Sequence, residues 1–282
     1  MRSRRSSRRS SDARTRGFSL IELLVSVALA GTLLVGVVKF FASQVKGARA
    51  HSFRVEAQQA MRGSLDAITR DLRLAGACLP GDGAFTSLTG SNGPGTDSVT
   101  IRSGLVRANN QCLRTVTTAD SGTGATALTV ESGADFTTNM LAYVKHPNGS
   151  GEFAFVSAAG GTSVTFQTSM TQPYPAGSSV HGVDERIYEV DDSAEPPILL
   201  LTINRGEPQA FAAGMSDLQF TYVLDRNCPT CDVVDLPAST AEWWLVNAVE
   251  VTATIETVGG TQPEDEATIV ASSMGKPRNL LP

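Results

Sequence analysis

Histidine is scarce in this chain, with three in 282 residues at His51, His146 and His181. They are scattered, and no H-E-x-x-H motif sets two of them one helical turn apart, so the zinc-protease pattern is absent. No G-x-S-x-G turn appears either, which removes the nucleophile elbow of the α/β-hydrolases. The glycine-rich run Gly90-Ser91-Asn92-Gly93-Pro94-Gly95 lacks the strand–helix setting of a phosphate loop and reads as a plain loop. No enzyme activity and no cofactor are expected. Acidic residues are nearly missing from the first 16 positions, where seven arginines face Asp12 alone for a net charge of +6. Basic residues are thin afterwards, 16 against 27 acidic, so the remainder carries −11. Such a body repels a phosphate backbone, and nucleic-acid binding is not expected. Proline is absent before Pro80.

One long apolar run is present. FSLIELLVSVALAGTLLVGVVKFFA, residues 18–42, holds only Glu22 and Lys39 as charges in 25 positions. A helix needs roughly 20 such residues to cross a bilayer core. Lys39 lies near the far end, within snorkelling reach of the interface. The arginines on the other side keep that end in the cytoplasm and send the remainder across. An ordinary secretory signal would be cut near Ala28-Leu29-Ala30, but apolar sequence continues through Phe41. The pairs Arg4-Arg5 and Arg8-Arg9 suggest a twin-arginine signal, yet both lead into serine. A plain anchor leaves Glu22 unexplained, since a carboxylate in the membrane costs about 2.5–3.5 kcal/mol on insertion scales.

The stretch Gly17-Phe18-Ser19-Leu20-Ile21-Glu22, behind an arginine-rich leader and ahead of the apolar run, resembles the class III signal of type IV pilins and type II secretion pseudopilins. The resemblance implies that residues 1–17 are a leader removed by a prepilin peptidase between Gly17 and Phe18. It also implies that Phe18 becomes an N-methylated terminus and that Glu22 becomes the fifth mature residue. Electrostatics gives the pattern a reason. Two charges isolated in hydrocarbon are each expensive, and pairing relieves both. If Glu22 of one subunit meets the terminal ammonium of another, the contact fixes the axial register of two packed helices.

Past Ser43, Phe53, Ala57, Met61, Leu65 (or Ser64), Ile68, Leu72 and Ala75 recur at spacings of three and four, which marks one face of a helix. Arg54, Glu56, Gln58, Arg62, Asp66 and Arg70 fall largely off that face, and Gly76 and Pro80 are stop signals. A single helix from Phe18 to Ala75 would run roughly 87 Å at about 1.5 Å per residue. Residues 18–42 would be its membrane or filament-core part and 43–76 its head-packed part. The alternative of two separate helices differs mainly at Gly47.

From residue 77 on, a β-rich head is expected, giving an α+β chain. Residues 81–97 read as a loop. Short β-branched runs follow at 98–102 and 113–117, then a compact series at 127–130, 140–144, 152–156 and 163–166, split by turns such as Pro147-Asn148-Gly149-Ser150-Gly151. That spacing suggests a small barrel or sandwich inserted at 123–182. Later runs lie at 186–190, 198–203, 217–223 and 249–255. The strand ending in Asn204-Arg205, the stretches Phe211–Tyr222 and Trp243–Val249, the helix end Arg70-Asp71-Leu72-Arg73-Leu74-Ala75-Gly76 and the closing Pro277-Arg278-Asn279-Leu280 resemble PilW-type minor pilins and the related GspJ-type minor pseudopilins. The resemblance implies a pilin fold, with the long helix packed on an antiparallel sheet.

The four cysteines, Cys78, Cys112, Cys228 and Cys231, would lie in an oxidising periplasm, where an even count favours disulfides. Three pairings are open. Cys78–Cys112 with Cys228–Cys231 is preferred, because the latter two close a local loop. Cys228-Pro229-Thr230-Cys231 also has the spacing of a thioredoxin-like redox motif, and all four cysteines together would suit zinc. Asp225, Asp232 and Asp235 are calcium candidates, weighed against a simple solvated loop. Trp243 and Trp244, adjacent on an expected strand, would point one inward and one outward, the outward one as an interaction anchor.

The resulting expectation is a minor pilin held in the bacterial inner membrane, with its head in the periplasm. It would join other minor pilins and the major pilin in a priming complex at the pilus tip or base, with a tip adhesin. The rivals are a type II secretion minor pseudopilin, a membrane-tethered thiol–disulfide oxidoreductase, and an anchored binding protein that never polymerises.

Overall fold

The computed structural model describes residues 19–277 apart from 82, 94, 227 and 258–266. The Gly17–Phe18 bond, the side chains of Phe53 and Arg54, and Arg278-Asn279-Leu280 lie outside the described residues. The chain divides into two compact units, Met1–His51 and Ser52–Pro282.

Helix α1 covers Leu20–Leu74. Its part in the first unit, Leu20–Val45, is long and apolar enough to cross a membrane, and none of it is buried within the chain. Two hydroxyls here fold back on the helix: that of Ser26 donates to the Glu22 carbonyl (2.7 Å) and that of Thr32 to the Leu29 carbonyl (2.9 Å). Hydroxyls satisfied in this way expose no open donor to lipid.

In the second unit α1 buries Met61, Ser64, Leu65, Ile68 and Leu72, with Ala75 buried just past its end, while Glu56, Gln58, Arg62, Asp66 and Arg70 stay exposed. The spacing of three and four therefore marks the face that packs. The helix stops at Gly76, whose φ of 77° is left-handed, and its N–H donates to Arg102 O (2.9 Å) across the neighbouring strand.

Among the described residues fourteen strands follow, all paired antiparallel. They are β1 (Leu88–Ser91), β2 (Ser98–Gly104), β3 (Arg114–Val116), β4 (Ala127–Thr129), β5 (Leu141–Lys145), β6 (Gly151–Gly160), β7 (Ser163–Phe166), β8 (Ser179–Asp191), β9 (Ile198–Ile203), β10 (Gln209–Ala213), β11 (Met215–Leu224) and β12 (Asp232–Val234), then, after the short helix α2 (Thr240–Trp243), β13 (Val246–Thr257) and β14 (Ala267–Gly275). Ten form one sheet in the order β1-β2-β8-β5-β6-β7-β4, with β3 and β9 also on β8 and β10 on β9. The other four run β12-β11-β13-β14.

Strand β8 organises the larger sheet. Its first half pairs with β5 and β3, and its second half pairs with β2 and β9. The strands expected as a small barrel or sandwich at 123–182 continue into the main sheet through β8, and among the described residues the isolated bridge Thr117–Val130 links the ends of β3 and β4, so a closed barrel is not shown. These strands do have a core of their own, with Leu128, Val130, Phe136, Val156, Phe166 and Tyr174 among its members.

The main core lies elsewhere. It gathers α1 side chains with Leu88, Val99 and Ile101 of the larger sheet and Leu218, Phe220, Tyr222, Val249, Val251 and Ile255 of the smaller one. Helix and sheet approach closely at Gly275, where an added Cβ would sit 2.8 Å from Leu72 Cβ.

Candidate functional site

Two regions carry the residues singled out above, the apolar start of α1 and the loops around β11–β13. In the first, Glu22 sits in the first helical turn with an exposed side chain among exposed Leu20, Ile21, Leu23, Leu24 and Val25. Backbone bonds from the N–H groups of Glu22 and Leu23 to the Ser19 carbonyl (3.0 and 3.1 Å) start the helix here. Among the described residues the surroundings are apolar and no side chain covers the carboxylate.

In the second region, Cys228 and Cys231 are joined as a disulfide in the turn between β11 and β12, and Cys78 is joined to Cys112. The first of these bonds closes a hairpin whose register ends at Leu224–Asp232. A redox motif needs its first thiol at a helix N-terminus, which lowers the pKa. Here Cys231 runs directly into strand β12, so that context is missing. The four cysteines pair off in twos and do not meet as one thiolate set.

The three aspartates do not converge either: no group of three or more His, Cys, Asp or Glu that could hold a metal occurs among the described residues. Instead Arg226 takes up two of the acids of the loop, Nε donating to Asp232 (2.6 Å) and Nη1 to Glu242 (2.8 Å). The other oxygen of Glu242 accepts the Ala238 N–H (2.7 Å). That backbone bond first, and then Arg226, hold the Glu242 carboxyl below its ordinary range.

The tryptophans are not on a strand. Trp243 ends α2, whose N-cap Ser239 accepts the Glu242 N–H, and Trp244 is the C-cap. Trp243 is buried, edge-on to Tyr222 with ring centroids 4.9 Å apart, and Trp244 is half-buried. Trp243 thus packs in the core against Tyr222.

Two clusters of buried charge escaped the reading of the sequence. Asp71 on α1 accepts from Arg186 Nη1 (3.0 Å) and from the Tyr188 hydroxyl (2.6 Å), both on β8, and Arg186 also bonds Asp184 (3.0 Å). Burial, followed by the bond to Asp71, pushes the Tyr188 hydroxyl well above the ordinary phenol range. Beside them Glu185, 1% exposed, accepts from Arg102 Nε (2.6 Å) and Arg205 Nε (3.0 Å). Burial works to raise this carboxyl, but the hydrogen bonds and charges of Arg205 and Arg102 outweigh it and hold the group low. Both guanidiniums also lie over the Phe153 ring, at 5.6 and 5.1 Å.

The sequence did hold signals for both clusters. Asp71 stands in the helix-end stretch Arg70–Gly76, and Arg205 in the pair Asn204-Arg205. That pair turns out left-handed, with φ of 50° and 56°, and Asn204 Oδ1 accepts the Glu185 N–H (2.8 Å).

An exposed apolar N-terminal helix followed by antiparallel sheets makes this an α+β chain, consistent with a pilin-like protein. Residues 12–38 match the family model described as the prokaryotic N-terminal methylation motif. Over 94 residues the chain is 36% identical to the "Pilin-like protein PilA3" of Thermus thermophilus, covering 30% of this chain and 40% of that protein. The chain thus spans well under half the length of that curated relative. Together the prepilin motif and the relative support a type IV pilin-like protein, either pilin or pseudopilin, of structural rather than enzymatic kind.

Proposed function

We propose that this chain is a minor pilin of a type IV pilus. A prepilin peptidase would cut between Gly17 and Phe18 and methylate Phe18, and the residues from 18 on would stay in the inner membrane until assembly, with the head in the periplasm. In the filament Glu22 would pair with the terminal ammonium of a neighbouring subunit. The β-rich head would join other minor pilins in a priming complex at the tip, with the major pilin below and a tip adhesin as a further partner. The observation that carries this reading is the solitary carboxylate in the first turn of an otherwise apolar, uncovered helix that leads into a folded head. A charge in that place lowers the stability of an isolated anchor, and an ammonium on a neighbouring subunit would relieve it in an assembly.

Intact mass of the chain purified from its membrane tests the processing step. An N-methyl-phenylalanine terminus at Phe18 is expected, and a terminus following Ala30 would show a secretory signal instead. A type II secretion minor pseudopilin shares this processing and this helix. Deleting the gene separates the two, since loss of surface pili with intact secretion marks the pilus and the reverse marks the secretion system. The large ten-stranded sheet favours the pilus, because it gives the head far more surface than a minimal helix-and-sheet unit.

A further inference from the structure

Asparagine followed by glycine is a chemically weak point in a protein chain. The glycine nitrogen has no side chain to shield it and attacks the asparagine amide carbon wherever the backbone allows the approach. Two such pairs occur, Asn92-Gly93 and Asn148-Gly149, and both asparagines are exposed. The fold treats them differently. Asn148-Gly149 lies in the turn between β5 and β6 and is held on both sides. The Gly149 N–H, whose nitrogen would have to attack, donates to His146 O (2.9 Å). Asn148 Oδ1 accepts from the Ser150 N–H (2.9 Å) and from the Ser150 hydroxyl (2.7 Å). Reaction there first breaks a turn hydrogen bond.

Asn92-Gly93 lies in the connection between β1 and β2. Among the described residues nothing accepts the Gly93 N–H. With its NH2 turned toward the two acceptors around it, the Asn92 amide donates to Asp97 Oδ1 (3.1 Å) and to Gly93 O (3.3 Å). The second contact lays the side chain along the residue that attacks it. The glycine is fixed by packing, because an added Cβ would collide with the Thr96 carbonyl. This connection also hooks the larger sheet onto β11 of the smaller one. Asp97, 4% exposed, donates its N–H to Leu218 O (2.8 Å), and its Oδ2 accepts the Phe220 N–H (2.9 Å). Gln219 Nε2 donates to Gly95 O (2.7 Å).

We propose that Asn92 is a site of spontaneous deamidation and that the product releases this connection from β11. The Gly93 nitrogen gives its proton to water and bonds to Asn92 Cγ, while the bond from Cγ to the amide nitrogen breaks and ammonia leaves. Water then opens the cyclic imide at either carbonyl, to aspartate or to isoaspartate. The net change is amide plus water to carboxylate plus ammonium. A donor to Asp97 is thereby replaced by a second carboxylate at hydrogen-bond distance from a buried one, and like charges so placed disfavour the closed arrangement. Isoaspartate also lengthens the backbone of the connection by one methylene. The modification is slow, irreversible and independent of any filament the chain enters.

The test ages the full chain in detergent micelles at mildly alkaline pH and follows both asparagine peptides by mass spectrometry. Each conversion adds the mass difference between a hydroxyl and an amino group. In the folded chain Asn92 should react roughly tenfold faster than Asn148, the factor set by one backbone hydrogen bond. In urea the two should react alike. Equal rates in the folded chain, or an Asn92 that stays intact there while the urea sample converts, overturn the site. Release is read on the aged chain itself and on Asn92→Asp. The amides of Asp97 and Phe220 should exchange faster in both, and the urea midpoint of the variant should fall. Asn148→Asp adds the same charge to the other turn and should change neither. Aged chains modified at Asn92 with unaltered exchange at Phe220 overturn the release, and so does an equal fall in midpoint for Asn148→Asp, since added charge alone would then be the cause.

Discussion

Glu185 and its two arginines show what a buried charge does at the scale of one residue. The carboxylate has left water almost completely, and its desolvation is offset by two charge-assisted hydrogen bonds from Arg102 and Arg205. Removing the charge while keeping the shape leaves Arg102, itself largely covered, without its counter-ion. Glu185→Gln should therefore lower unfolding free energy by about 3 kcal/mol, the lower end for a broken buried pair because Arg205 still reaches solvent. Arg205→Ala should cost less for the same reason. Tryptophan fluorescence during urea unfolding at neutral pH measures both. The carboxyl also has a pH signature. Since folding depresses its pKa, its stabilisation is complete above the unfolded value of about 4.3 and is lost as pH falls through the lower folded value. The acid limb of the stability curve should flatten in Glu185→Gln. An unchanged limb would mean that other carboxylates set it.

Elements carry a different lesson, because here length and local pattern decide what can be read in advance. The buried face of α1 was legible from Met61, Leu65, Ile68, Leu72 and Ala75, since helical periodicity over many turns leaves little room for another arrangement. Long β-branched runs such as 217–223 and 249–255 were legible too. Strands β1 and β14 were not: LTGS lies in a glycine-rich stretch, and ATIVASSMG mixes small and β-branched residues without alternation. Both exist because a neighbouring strand pairs with them, which is tertiary information. The expected barrel or sandwich at 123–182 illustrates a related point. Regular short strands were visible, but nothing local shows that β8 is long enough to serve both halves of the sheet. At the candidate site, Glu22 was legible as a lone charge in an apolar run, whereas Glu185 looked like any strand carboxylate.

The seam between α1 and β14 yields a prediction at this same scale. A methyl at Gly275 meets the backbone-proximal carbon of Leu72, which has no flexible end to move aside. Gly275→Ala should cost about 1–3 kcal/mol through overpacking. Leu72→Ala alone should cost about 2–5 kcal/mol, and because it keeps the Cβ that the new methyl meets, the double variant should recover only the part of the Gly275→Ala cost that comes from Leu72 Cδ1 and Cγ. Strict additivity in that cycle would assign the whole overpacking cost to the Leu72 Cβ. The disulfides differ as well. The Cys78–Cys112 bond ties the helix end to a turn 34 residues on, and in the chain-entropy model it contributes about 3–4 kcal/mol. The loop closed by Cys228 and Cys231 is so short that its loss should cost less than half of that. Thermal unfolding of the two double-serine variants ranks them, and the reverse order would point to enthalpic effects in the Cys228 loop.

At the scale of the whole molecule the charges are unevenly distributed: arginines before the apolar helix, an acidic body after it, and one carboxylate in the first turn within. The first two features are consistent with a membrane-anchored chain, and neither requires the third. On the proposed reading Glu22 is the residue that separates an anchor from an assembling subunit. If it serves insertion or recognition by the peptidase, Glu22→Ala should change the amount of processed chain in the membrane. If it serves assembly, removing it makes insertion easier by about 2.5–3.5 kcal/mol, so membrane levels should hold or rise while the chain disappears from filaments. The expected result is a normal Phe18 terminus by mass, an undiminished membrane fraction, and a strong loss of the chain from sheared surface filaments. Glu22→Asp separates charge from reach, because it keeps the charge but shortens the side chain by one methylene. Partial incorporation of that variant is expected if the carboxylate must meet an ammonium on another subunit. Full incorporation of Glu22→Ala would remove the ion pair from the assembly step altogether.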